Sequence, residues 1–235
     1  MTKEQPASLR IEHVPQTLRE LAVERLRAAI MSGRFPSGYR LVERTLVDQL
    51  GVSRSVIREA IRYLEAEGLV EIQPRQGPIV ATLDWDKARQ IYDIRLRLEA
   101  AAAADCARLL DASARADLQA ALQRLKEAFL SDDPQVLYDA TTRFYEVIFV
   151  TAGHHIAWEI VQRLNGRISR LRALTLASTD RHVSGQARMQ RIAEAIFAQD
   201  PDRASEAVRE HLTEAAEIAS KLLHAANEGA RRTGQ

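Results

Sequence analysis

The chain has one cysteine in 235 residues, Cys106. A lone thiol builds neither a disulfide framework nor a cysteine-based zinc site. Aromatic residues make up only 5%, so alanine and the aliphatics must carry the core. No stretch approaches the roughly 18 uncharged apolar residues of a membrane-crossing helix. The opening MTKEQPASLRIEHVPQ has no apolar signal-peptide core, so the expected compartment is the cytoplasm. Charge of one sign is also lacking, with 33 Lys and Arg against 32 Asp and Glu and a net charge of +1. That balance excludes a polybasic nucleic-acid tail and a strongly charged disordered chain. There is no glycine-rich phosphate loop, no nucleophile elbow and no Cys–His pair with a local catalytic signature, so neither an enzyme nor a bound cofactor is expected.

What is present divides into two regions. Residues 1–16 are polar and aperiodic and read as a mobile arm. Apolar positions from Leu18 to Ile30 follow a helical stripe, closed by Ser32-Gly33. A two-turn helix over 43–50 is stopped by Gly51, and a second helix covers about 54–66 with Ser53 as its N-cap. Arg40-Leu41-Val42 reads as a very short strand. Strand-like 69–72 and 78–82 flank a turn over 74–77. After Leu83 the chain becomes alanine-rich and helical, with six helices expected near 86–111, 114–130, 134–152, 154–177, 184–199 and 201–226. The fold class is therefore mainly α: a winged helix-turn-helix over 17–83, an all-α six-helix bundle over 84–226, and a tail over 227–235.

The segment 40–80 carries the chemistry. Leu46, Val47 and Leu50 face Val52, Ile57, Ile61 and Leu64 across a Gly51 turn, where glycine tolerates the positive φ. The second helix then presents Arg54, Ser55, Arg58 and Arg62 outward, with Arg54 and Arg58 one turn apart on one face. Such a helix fits the DNA major groove, with its N-terminal side chains at the base edges. A wing with Gly77 at its tip approaches the phosphates or the minor groove.

GVSRSVIREAIRYLEAEGLV, within residues 18–82, resembles the winged helix-turn-helix of the GntR family of bacterial regulators. Residues 86–226 resemble the helical effector domain of the FadR/FCD subfamily, on RLRLEAAAAADCA, FYEVIFVTAGH, EAIFAQDPDRASEAV and His211-Leu212. The resemblance implies a dimeric, ligand-responsive regulator of transcription, usually a repressor. It implies DNA contacts from Arg44, Ser53, Arg54, Ser55, Arg58 and Gly77 to a double-stranded inverted-repeat operator. Many FCD domains hold a divalent metal with one Asp and three His. Here the four ligand slots fall at Thr141, Tyr145, Met189 and His211, and helical periodicity also turns these four inward. Only His211 is a good ligand for Zn²⁺, Mn²⁺ or Ni²⁺, so no metal site is expected. These positions, with Arg95 as a candidate for gripping a carboxylate, are expected to line a cavity of apolar wall and hydroxyl donors for a small organic effector.

Blander readings stand beside these. Arg95 and Glu99, four apart, equally describe a surface ion pair. Arg163, Arg167 and Arg170 share helical spacing and read as a solvated or interface face. One arginine of the 163–172 group turning inward towards a ligand carboxylate is the alternative. Cys106 reads as a buried inert thiol, Trp85 and Trp158 as packing anchors. His154, His155 and His182 lie out of register with the ligand slots; a rearranged metal site made from them, or a helical domain that serves only to dimerise, are the competing functions.

Overall fold

The computed structural model describes residues 16–178 and 184–233; all but Gln16 of the expected arm over 1–16, and His182, lie outside the described residues. Three helices open the chain, α1 (Leu18–Met31), α2 (Glu43–Leu50) and α3 (Arg54–Ala66). Local chemistry sets each end. Thr17 and Glu20 form a reciprocal capping box at the start of α1. Gly51 closes α2 in the left-handed conformation, at φ 66°. Ser53 caps α3 by accepting from the Val56 amide. Strands β1 (Val70–Gln73) and β2 (Gly77–Val80) then pair antiparallel, Val70 with Val80 through Gln73 with Gly77. The short strand expected at 40–42 reduces to a single bridge from Arg40 to Ile79, seated on the wing.

Seven helices follow: α4 (Trp85–Leu109), α5 (Ala112–Ala128), α6 (Pro134–Thr151), α7 (His155–Arg167), α8 (Ser169–Ala177), α9 (Gly185–Phe197) and α10 (Pro201–Thr233). α4 packs along α10, and α5, α6 and α9 complete the bundle. Two separate cores result. One joins Leu26, Leu41, Leu46, Ile57 and Leu64; the other joins Cys106, Phe144, Ile148, Val161, Ile196 and Val208. Trp158 is buried against Phe149, with ring centroids 5.3 Å apart. Trp85, partly buried, opens α4 just after the Asp84 cap and packs on the second core.

Two boundaries differ from expectation. The last helix runs through Thr233, past the proposed tail at 227. The helix expected over 154–177 is broken at Ile168, where φ is −112° and ψ 15°, so the bundle has seven helices among the described residues rather than six. A close approach of the two halves lies beside this break. A Cβ on Gly166 would fall on the carbonyl of Glu67, the C-cap of α3, and a Cβ on Gly68 would lie 2.9 Å from the Arg163 carbonyl. The backbone corner after α3 is thus pressed against the last turn of α7, and only glycine fits on either side. Beside this joint lies an apolar cleft of about 270 Å³, between Ile30, Phe35 and Leu69 on one side and Leu171, Leu174 and Leu223 on the other.

Candidate DNA-binding surface and effector core

α3 is strongly amphipathic. Ile57, Ala60, Ile61 and Leu64 are buried, which leaves Arg54, Ser55, Arg58 and Arg62 on the exposed side. Arg44 is exposed on α2. Ser53 has a second role beside capping, since its hydroxyl lies 2.8 Å from that of Ser55, which gathers two polar groups at the helix start. The wing turns through Pro74-Arg75-Gln76, with Arg75 at φ 69° and Gly77 at φ 81°. A non-glycine residue in the left-handed region carries strain, and this one is an exposed arginine at the wing tip.

Sequence reasoning missed Glu43. Its carboxylate accepts from Arg58 Nε at 2.9 and 3.0 Å, and Arg54 Nε lies 3.7 Å away. One acid at the start of α2 therefore ties Arg54 and Arg58 to the protein surface. Exposed pairs of this kind are worth about 0–1 kcal/mol, so a phosphate or a guanine edge competes readily for the same guanidinium. The visible signal was Glu43 preceding Arg44 at the opening of α2, but the partner lies fifteen residues on.

The helical domain hides its charges instead. Thr141 and Tyr145 on α6, Met189 on α9 and His211 on α10 are all buried, and Tyr145 and Met189 belong to the same core of the helical domain. The Thr141 hydroxyl, however, donates to the Leu137 carbonyl at 2.6 Å. Its proton is spent on its own helix, which corrects the expectation of a hydroxyl donor facing a ligand. Arg95 and Glu99 are not on the surface. Both are fully buried on α4 and paired at 2.7 Å. A buried pair holds because each charge has the other, and removing one partner costs about 3–5 kcal/mol. Burial opposes the charge on Arg95, but Glu99 outweighs it and holds the guanidinium above its ordinary pKa. Burial pushes the Tyr145 hydroxyl well up, reinforced by Glu99 beside it. Burial likewise pushes the Cys106 thiol up to about 11, in keeping with an inert core residue.

Arg172 on α8 is the arginine of the 163–172 group that turns inward. It is 3% exposed. Its Cζ lies 5.6 Å from the Tyr145 ring centroid and 5.9 Å from that of Tyr138. Among the described residues neither terminal nitrogen meets a hydrogen-bond acceptor. Burial, and then the charge of Arg95, push its pKa down. A divalent cation does not fit this core. Hydroxyl, phenol and thioether occupy three of the four slots, and two guanidinium groups lie within electrostatic reach of Tyr145. Among the described residues, no three His, Cys, Asp or Glu side chains are grouped to hold a metal. His154, on the surface, pairs with Asp105 at 3.0 Å.

Comparison with known proteins agrees with both halves. The model of the bacterial regulatory proteins of the gntR family matches residues 18–80, and the FCD domain matches residues 90–214. An HTH-type transcriptional regulator of Agrobacterium vitis, from the TAR-I ttuE-ttuC' intergenic region, is 34% identical over 135 residues, 56% of this chain and 78% of that protein. The transcriptional repressor RspR of Escherichia coli is 26% identical over 201 residues, 84% of this chain and 86% of that one. The solved structure of Escherichia coli McbR/YncC superposes with a TM-score of 0.68 at 21% identity, covering 88% of this chain and 99% of that chain. No helix among the described residues is long and apolar enough to cross a membrane. The chain belongs to the GntR family of bacterial regulatory proteins, and it joins that family's DNA-binding helix-turn-helix to an FCD domain.

Proposed function

We propose that the protein is a cytoplasmic, homodimeric repressor that reads an inverted-repeat operator and is controlled by a small organic effector held in the helical domain without a metal. The observation that carries the DNA reading is the exposed face of α3, where Arg54 and Arg58 stand one turn apart, backed by the buried Ile57, Ile61 and Leu64. Arg44, Ser53, Ser55 and Gly77 complete the contact set. One recognition helix brings only three or four side chains to bases, so two-fold symmetry supplies the remaining specificity. Repression is supported by the similarity to RspR, named as a repressor.

Effector control requires that one site bias the other. The joint at Gly166 and Gly68 is suited to this, because α8 begins three residues after Gly166 and carries Arg172. Tyr138 supports the same route. Its hydroxyl feels Arg172 on one side and the Arg27–Glu67 pair of the DNA-binding half on the other. A shift of α8 on ligand binding thus reaches the end of α3 through packed groups. The test is fluorescence anisotropy with DNA flanking the protein's own gene. Wild type is expected to bind a symmetric site as a dimer, and Arg58→Ala to lose about 1–3 kcal/mol per bidentate base contact with relaxed sequence preference. Equal operator affinity for Arg58→Ala at matched salt would overturn the recognition-helix assignment.

A further inference from the structure

The effector core holds one positive charge more than its own side chains neutralise. Arg95 is matched by Glu99 at 2.7 Å. Arg172, buried to the same degree, has no matching carboxylate among the described residues, and both of its terminal nitrogens lack an acceptor there. Folding does not bury a guanidinium in this way without a compensating partner. Two tyrosine rings flank the group and give it cation–π stabilisation, but a ring face does not satisfy in-plane N–H donors. The unpartnered atoms are the two terminal nitrogens, a pair that matches the two oxygens of a carboxylate. Arg172 brings its positive charge beside Tyr145, one of the four slots, and the slots hold one imidazole and no carboxylate.

We propose that Arg172 is the group that recognises the effector, and that the effector is a small monocarboxylate bound to the guanidinium directly, with the arginine standing in for the absent metal. This rests on the ligand-responsive reading above and names its ligand class. One negative charge balances the core, so a dianion such as phosphate is disfavoured. Tyr138 and Tyr145 give the carbon part of the acid aromatic walls, and Arg95, held by Glu99, serves to shape the core rather than to take the ligand.

The test is thermal unfolding of the full-length protein at constant ionic strength with formate, acetate and benzoate, each against its neutral amide, and with inorganic phosphate. At least one carboxylate is expected to raise the melting temperature saturably by about a few degrees, as a ligand that binds only the folded state must; its amide and phosphate are not. Arg172→Met, similar in length and uncharged, is expected to melt no lower than wild type in anion-free buffer, because an unmatched buried charge has been removed, and to lose the carboxylate response. Arg172→Lys is expected to keep the charge, lose the two-pronged geometry and respond about tenfold more weakly. A carboxylate shift of equal size in Arg172→Met overturns the proposal, as does the absence of a saturable shift with any of the three acids. A phosphate shift equal to that of the acids overturns the monocarboxylate assignment. Operator binding by unliganded wild type is scored separately: its absence defeats the regulator reading, whereas its presence without a carboxylate response defeats only the role of Arg172.

Discussion

The two halves of the molecule place their arginines in opposite ways. In the N-terminal half Arg44, Arg54 and Arg58 stand in solvent, held at most by Glu43. In the C-terminal half Arg95 and Arg172 are buried among tyrosines, one matched by an acid and the other not. An exposed arginine gains little from its local pair and stays available to another acceptor. A buried one is committed, and any deficit around it is a statement about what must come in. The surface thus presents a pattern of donors, whereas the interior holds a guanidinium whose terminal nitrogens meet no acceptor among the described residues.

The harshest way to break the contrast is to pry the halves apart. Gly166→Val places a branched side chain where the Glu67 carbonyl lies, so the joint must open or the backbone must move. Overpacking of this kind costs about 1–3 kcal/mol, and the whole of it falls between the domains. The variant is expected to bind its operator at least tenfold more weakly while both halves keep their helical circular dichroism, and to lose any effector response. Wild-type operator affinity in Gly166→Val would show that the joint does not set the orientation of α3.

A milder change sharpens the view of the outer half. Glu43→Gln removes the acid that restrains Arg54 and Arg58. Stability is expected to fall by less than about 1 kcal/mol, as for exposed pairs. Non-specific DNA affinity is expected to rise, with a steeper dependence on salt, because two guanidinium groups no longer trade one counter-charge for another. A salt titration with random-sequence duplex checks both points; an unchanged slope would mean that Glu43 releases neither arginine on DNA.

The smallest effect belongs to the interior. The Cys106 thiol is pushed up to about 11 from 9.0 by burial, so its neutral form is favoured by the fold. This contribution is complete below about pH 9 and is lost as pH climbs from there towards 11. Cys106→Ala is expected to lack that decline in denaturant titrations across the interval, apart from a constant loss for the smaller side chain. Iodoacetamide is expected to leave native Cys106 unmodified at pH 8 and to alkylate it in urea.

The outer half was legible because its determinants are local. Ser53 and Gly51 fix the ends of α3 and α2 within one or two residues, and the strand ends of the wing fall within two residues of expectation. The inner half was legible as helices but not as a site. Arg95 and Glu99, four apart, look the same whether water or protein surrounds them. Arg172 lies on α8, out of step with the spacing of 163, 167 and 170, and only packing reveals that it points inward. The close contact beside the break at Ile168 was hidden for the same reason: Gly166 meets Glu67, about a hundred residues earlier, and sequence spacing carries no trace of that meeting. Glu43 escaped notice because its partners sit on the next helix.

The glycine pair also bears on how such proteins exchange parts. A reading head taken from another regulator and fused at Leu83 meets more than a linker: its corner after α3 must present a bare backbone at the place of Gly68 and a carbonyl where Glu67 has one. A graft with a bulky residue at that corner would keep its own operator preference and still sit at the wrong angle on the sensor. The fit between the two halves thus depends on this contact as well as on the apolar cleft beside it, and chimaeras that carry residues 67 and 68 together with 166 are the ones expected to keep the native joint.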